Sequence, residues 1–331
     1  MKKKTCLEFF FYKTNKPHIG FILRKIFKDD FSMGMRFRSQ LLIIVNFLGL
    51  VFFDGNVLAQ RALVVSAIPD QNPEKLNRLY SLLADELSEN LEIEVVYKPV
   101  INYQAAVTAF RTGDLDLVWF GGLTGVQARL QKPGSVVIAQ RDIDSNFHSL
   151  FIAHSKSKIK PISNINGLKV LKGKRFTFGS ESSTSGRLMP QHFLAKAGVF
   201  LSDFKGGRAG FSGSHDATIV LVQSGSYEVG AVNEEVWKTN LANGQINLRK
   251  VSPIWRTPAY ADYHWLAQPN LDKRFGIGFT EKLTNQFLAL DKKTFRKREI
   301  LKLFGANSFI RAYDYNYNDI EKIGRKLKKI R

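Results

Sequence analysis

Between Leu63 and Phe120 the chain switches back and forth between strand and helix periodicity, and few folds accept that pattern. Leu63-Val-Val-Ser-Ala-Ile68 reads as a buried strand, and Asp70-Gln-Asn-Pro73 introduces a helix from about Glu74 to Asn90, with Leu76, Leu79, Leu82, Leu83 and Leu87 at helical spacing. A second strand follows at Ile93 to Tyr97. Tyr103 to Arg111 repeats the helical spacing until Gly113, and Leu115 to Phe120 forms a third strand ending in Gly121-Gly122. Strands alternating with helices pack into a mostly parallel sheet, with ligands at the carboxyl ends of the strands. Tyr103 and Phe120 to Gly122 would lie at those ends.

The chain then yields strands at Val136 to Ala139 and Ser149 to Ala153, and from Phe176 a second series begins. That series contains a helix at Asp216 to Ser224, a strand at Glu228 to Val232, another at Tyr263 to Ala267, and strongly helical sequence from Thr280 to Leu303. Two lobes of like construction are implied, α/β in class with a mixed sheet in each. Ser149 to Ala153 and Tyr263 to Ala267 are expected to be the paired crossovers of a two-strand hinge. The expected boundaries are 61–153 with 256–305 for the first lobe, 154–255 for the second, and 306–331 as a basic tail.

The first sixty residues are set apart. Arg36 and Arg38 precede an apolar run from Leu41 to Phe53, followed by Val57-Leu58-Ala59, which is the layout of a secretory signal peptide cleaved before Gln60. The run of 13 residues is too short to span a bilayer core of about 30 Å. Residues 1–32 do not suit a signal peptide, and Met33 or Met35 is an alternative start. The single cysteine, Cys6, lies in that stretch, so disulfide and thiol chemistry are excluded from the exported chain. Residues 61–331 carry 39 Lys and Arg against 25 Asp and Glu, a net +14 concentrated at Lys292 to Lys302 and Lys322 to Arg331. Solvated helix faces explain such clusters, and an exported chain is an odd home for a nucleic-acid surface.

Gly179-Ser-Glu-Ser-Ser-Thr-Ser-Gly-Arg-Leu-Met-Pro190 lies between a strand, Arg175 to Phe178, and a helix, Gln191 to Gly198. The first N–H groups of a helix lack internal partners and carry the positive end of its dipole. Ser183, Thr184 and Ser185 would therefore surround an anion with neutral donors. Ordinary helix capping is the competing explanation.

Five motifs then occur in order: Ser66-Ala-Ile-Pro-Asp70, Val118-Trp-Phe-Gly-Gly122, Ser183-Thr-Ser-Gly186, Gly213-Ser-His-Asp216 and Gly230-Ala-Val-Asn233. They resemble the phosphate/phosphite/phosphonate-binding family of periplasmic proteins that serve ABC importers, and the wording is most similar to the branch labelled selenate-binding. The resemblance spans Arg61 to Leu303. It implies a type II solute-binding fold whose lobes close on a small oxyanion for delivery to the transmembrane subunits of a permease. The receptor would be a monomer without cofactor or metal. The resemblance also implies that Ser183, Thr184, Ser185 and His215 hold the anion, that Tyr103 is the first-lobe aromatic, and that the pocket carboxylates are Glu235 and Asp262. Phe147 falls where phosphonate binders carry a tyrosine.

Each residue has a plainer reading. His215 could start a surface helix, Tyr103 could be core, and Asp262 could pair with Arg256. An ionised carboxylate accepts hydrogen bonds and cannot donate them, so Glu235 or Asp262 would favour an oxyanion that keeps a proton, as phosphate types do and selenate does not. A hydrolase built on Ser183 and His215 is the rival in another class. It is disfavoured because neighbouring His215 and Asp216 rarely orient one another and no Gly-x-Ser-x-Gly elbow is present. A membrane-bound sensor of the same fold is disfavoured because no apolar span follows the domain.

Overall fold

A computed structural model describes residues 62–331. The proposed leader falls outside the described residues. The chain begins with β1 (Leu63–Ala67), α1 (Pro73–Leu91), β2 (Val95–Tyr97), α2 (Tyr103–Thr112), β3 (Leu117–Phe120), α3 (Gly122–Gln131) and β4 (Val136–Arg141). It continues through β5 (Ser149–His154), β6 (Phe176–Phe178), α4 (Met189–Lys196), β7 (Gly210–Phe211), α5 (His215–Gln223), β8 (Val229–Asn233), α6 (Glu234–Ala242) and β9 (Val251–Arg256). It closes with β10 (His264–Ala267), α7 (Leu271–Phe275), α8 (Phe279–Leu288), α9 (Phe295–Phe304), β11 (Phe309–Arg311) and α10 (Asn318–Lys326).

The strands form a six-stranded sheet, β11-β4-β10-β3-β1-β2, and a five-stranded sheet, β7-β6-β8-β5-β9. In the first, β1 runs parallel to β2 and β3 while β10 returns antiparallel to β3 and β4. In the second, β6 is parallel to β7 and β8 while β5 is antiparallel to β8 and β9. Both sheets are mixed. Local chemistry sets the helix ends: the Asn72 side chain accepts the Glu74 and Lys75 N–H groups at 2.9 and 3.1 Å, and Gly113, at φ +86°, ends α2.

The two strand segments expected to cross between lobes do not do so. β5 belongs wholly to the second sheet and β10 wholly to the first. The chain crosses at 142–148 and again at 257–263, where Phe147 and Tyr260 exchange backbone hydrogen bonds of 2.8 and 3.0 Å. Strand character and crossover position were conflated, because alternation marks a strand without saying which sheet receives it. The expected basic tail at 306–331 is also corrected. β11 pairs with β4 and α10 packs on α3, with Tyr317 and Ile320 buried. Its basic residues coat helix surfaces over apolar anchors, which composition alone does not distinguish from a solvated tail.

Candidate functional site

Residues 184–188 open the helix below β6 in one wide turn, with the Leu188 N–H donating to the Ser183 carbonyl at 2.9 Å, and α4 continues from it. The hydroxyls expected to act alike have separate tasks. Ser183 Oγ accepts the Gly186 N–H at 2.9 Å, which is the capping alternative realised. Thr184 Oγ1 accepts the Leu123 N–H at 2.9 Å, joining this helix start to that of α3 in the other lobe. Ser185 Oγ is buried without a partner, while its carbonyl receives the Ser149 hydroxyl at 2.7 Å. Tyr260 lies 2.6 Å from that hydroxyl and braces it.

The opposite wall comes from the first sheet and the second crossover. Asp262 is fully buried; its Oδ1 accepts the Gly122 N–H at 2.9 Å and its Oδ2 has no partner. Arg256 is bound to Glu234 at 2.8 and 2.9 Å, so the alternative Asp262–Arg256 pair is not formed. The Tyr103 hydroxyl is likewise buried and unpartnered, with Ser183, Asp70 and Asp262 among the groups that act on its acidity. Buried polar atoms without partners are uncommon in folded proteins. A hydroxyl on Tyr103, another on Ser185 and the outer oxygen of Asp262 supply two donors and one acceptor. Gly121 keeps the space between the walls: a Cβ there would stand 3.1 Å from Thr184 Oγ1 and 3.3 Å from Asp262 Oδ1.

His215 begins α5 and is fully buried. The Asn233 N–H donates to its Nδ1 at 3.2 Å, so the neutral ring carries its proton on Nε2. Desolvation lowers its pKa to about 3, which keeps it neutral. The His215 N–H also donates to the Asp70 carbonyl across the lobes at 3.0 Å. Desolvation raises Asp262 to about 7 and Asp70 to about 6, the latter although the Tyr263 hydroxyl donates to its carboxylate at 2.8 Å. Below these values each carboxyl keeps a proton.

Of the residues expected in the site, Tyr103, Ser183, Thr184, Ser185, His215 and Asp262 are buried along this junction. Glu235, also expected in the site, is placed differently. Its carboxylate turns to Lys238 at 2.7 Å, and as the second residue of α6 it follows the helix surface. Asp70, Tyr263 and Asn233, linked by hydrogen bonds of 2.8 and 3.0 Å through the Tyr263 hydroxyl, were not singled out as site residues. Asp70 and Asn233 closed two of the quoted motifs, so their signal was present. Phe147 has no hydroxyl and packs edge-on against Tyr263 with ring centres 5.6 Å apart.

Two mixed α/β lobes joined by two crossovers, with buried donors facing the buried carboxyl of Asp262 between them, define a type II solute-binding protein. Residues 65–317 match the family described as "ABC transporter, phosphonate, periplasmic substrate-binding protein", and the chain belongs to that family. It is 57% identical over 271 residues to the probable ABC transporter phosphite binding protein PhnD1 of Prochlorococcus marinus, covering 82% of this chain and 91% of that one. The structure of that PhnD1 in complex with methylphosphonate superposes with a TM-score of 0.80 at 56% identity, over 82% of this chain and all of the other. The phosphate-import protein PhnD of Mycolicibacterium smegmatis is 26% identical over 209 residues, 60% of this chain and 64% of that protein. The protein is therefore the substrate-binding component of an ABC importer, not an enzyme. It acts in the periplasm, where it carries a small molecule to the permease.

Proposed function

We propose that the cargo is a small tetrahedral phosphorus oxyanion, phosphite or a short phosphonate, held between the lobes by Tyr103, Thr184, Ser185, His215 and Asp262. The observation that carries this reading is the set of buried unpartnered oxygens on Tyr103, Ser185 and Asp262 beside the helix start at Ser183. Neutral donors fit two or three of the anion's oxygens. Asp262 Oδ2 fits an oxygen that shares one proton with it, so the occupied site holds one proton between carboxyl and anion. The similarity to PhnD1, described as phosphite-binding and crystallised with methylphosphonate, supports the same class. Residues 1–59 would act as the leader that exports a monomeric receptor.

Selenate is the second reading, and Asp262 bears on it. With its pKa near 7 the carboxyl can itself donate to a proton-free dianion in mildly acid solution, but not well above neutrality. Calorimetry with phosphite, methylphosphonate, phosphate, sulfate and selenate at one pH on each side of 7 tests both. Phosphite and methylphosphonate are expected to lead at both, with the gap to selenate widening on the alkaline side. Selenate binding more tightly than every protonatable anion would overturn the assignment.

A further inference from the structure

The two arginines buried among the described residues are treated differently by their surroundings. Arg141 is fully neutralised: it binds both oxygens of Asp144 at 2.6 and 2.8 Å and donates to the Phe304 carbonyl at 2.7 Å. Arg187 is 2% exposed, yet it forms no ion pair among the described residues, and its Nε and Nη1 have no hydrogen-bond partner. Its guanidinium lies 4.4 Å over the ring of Phe178 and 5.2 Å from that of Phe211. Cation–π contact compensates part of the lost hydration and neutralises no charge. Glu181, the carboxylate that acts on Arg187, sits on the exposed turn before the helix.

Arg187 is two residues beyond Ser185, hence within about 7.6 Å of it along the chain from Cα to Cα. The ionisable groups around the junction of the lobes include the acids Asp70, Asp216 and Asp262, the neutral His215, the paired Arg141 and the half-buried Lys75, whose charge acts on Asp70 and Asp216. Lys75, which hydrogen-bonds Gln71, and Lys329, whose charge acts with that of Arg187, are only half-buried, so Arg187 is the fully buried cation without an ion pair among the described residues. Burying an arginine without a counter-ion is unfavourable in the free protein, and an anion in the cleft would supply a counter-charge.

We propose that Arg187 is a positioning residue of the anion loop: a buried, unpaired cation held on Phe178 and Phe211, whose field favours doubly charged over singly charged anions. This rests on the reading that the cleft takes an oxyanion. Calorimetry near pH 8 compares phosphite, then largely a dianion, with hypophosphite, a monoanion of similar shape, on the wild type and on Arg187→Met, Arg187→Lys and Glu181→Gln, each checked by thermal melting. Arg187→Met should reduce the preference for phosphite over hypophosphite about tenfold, the scale of one charge acting across several ångströms of protein. Arg187→Lys should restore most of it, and Glu181→Gln should raise it roughly twofold. A packing role would weaken both anions equally and leave the preference unchanged in Arg187→Met, which overturns the proposal. Should Arg187→Met not fold, an unchanged preference in Glu181→Gln overturns it. Failure of the wild type to bind either anion removes the cargo assignment instead.

Discussion

Asp262 shows how burial rewrites a residue's chemistry. In water its carboxyl would be ionised and could only accept. In the fold it is raised from 3.8 to about 7 by desolvation, a cost that the Gly122 N–H at Oδ1 only partly offsets. Asp70 is raised the same way, to about 6. The folded state therefore keeps protons that the unfolded chain has already released, so stability of the ligand-free protein should fall as pH climbs from about 4 to about 7 and level off above. Asp262 alone accounts for roughly 4 kcal/mol at most, at about 1.4 kcal/mol per pH unit. Asp262→Asn should make that decline shallower, leaving the share due to Asp70, measured as melting temperature from acid to neutral pH. The same substitution retains an acceptor for Gly122 and supplies a permanent donor for the anion. Phosphite affinity should then lose the tenfold-per-unit fall expected of the wild type above pH 7, where occupancy requires proton uptake. A wild type whose affinity is flat above neutrality would show that the bound state shares no proton with Asp262.

At the level of elements, the sequence was most legible where period and punctuation agreed. The stretch from Leu63 to Phe120 is observed as β1 to β3 with α1 and α2 between them, because asparagine caps and Gly113 bound apolar repeats that suit one geometry each. The strongly helical run from Thr280 to Leu303 is divided between two helices, α8 and α9, separated around Leu290 to Thr294. Thr294 caps the second by accepting the Lys297 N–H at 3.2 Å, a local contest that helical periodicity hides. β11 escaped notice because three residues carry too little alternation, and only pairing with β4 makes them a strand. The site followed the same rule. Hydroxyls at a strand-to-helix turn are a local signal, whereas the Asp70–Tyr263–Asn233 chain joins residues far apart in sequence, Asp70 and Tyr263 being separated by 193 positions. Gly125 carries an equally non-local constraint. It sits inside α3 because the ring of His264 occupies its Cβ position, 2.1 Å away, and that ring packs on Tyr317 with centres 4.0 Å apart. Gly125→Ala should gain about 1 kcal/mol in helix propensity and lose more to overpacking, for a net destabilisation of about 1–3 kcal/mol. Denaturant titration should show the loss of stability while the fully folded variant keeps phosphite affinity; a neutral or stabilised variant would mean that His264 repacks freely.

In the whole molecule the site is one half of a mechanical device. The lobes meet through the His215 N–H on the Asp70 carbonyl, the Leu123 N–H on Thr184 Oγ1 and the Asn72 N–H on Asp216, at 3.0, 2.9 and 2.5 Å. The chain that joins them is only the two crossovers at 142–148 and 257–263, tied by the Phe147–Tyr260 bridge and by the Asp262 N–H on the Asp144 carbonyl at 3.0 Å. Arg141 and Asp144 lock the start of the first crossover, with the guanidinium 4.9 Å from the ring centre of Tyr263 on the second. Rotation about so narrow a connection separates Tyr103, Asp70 and Gly121 from Ser185 and His215 without disturbing either sheet. These three hydrogen bonds, and the Asn233–Tyr263 bond that continues to Asp70, contribute about 1 kcal/mol each at best. An anion bridging both walls should therefore shift the population strongly toward closure. Small-angle scattering should show the radius of gyration falling when phosphite saturates the protein. Gly121→Ala places a methyl group against Thr184 and Asp262 at the closing surface. In that variant the radius should fall less and affinity should drop at least tenfold, while the ligand-free melting temperature stays near that of the wild type, since the added methyl faces the seam between lobes. An unchanged radius of gyration in the wild type at saturation would mean that the lobes are closed before the anion arrives, and the Gly121→Ala loss would then be read as steric exclusion from a preformed site.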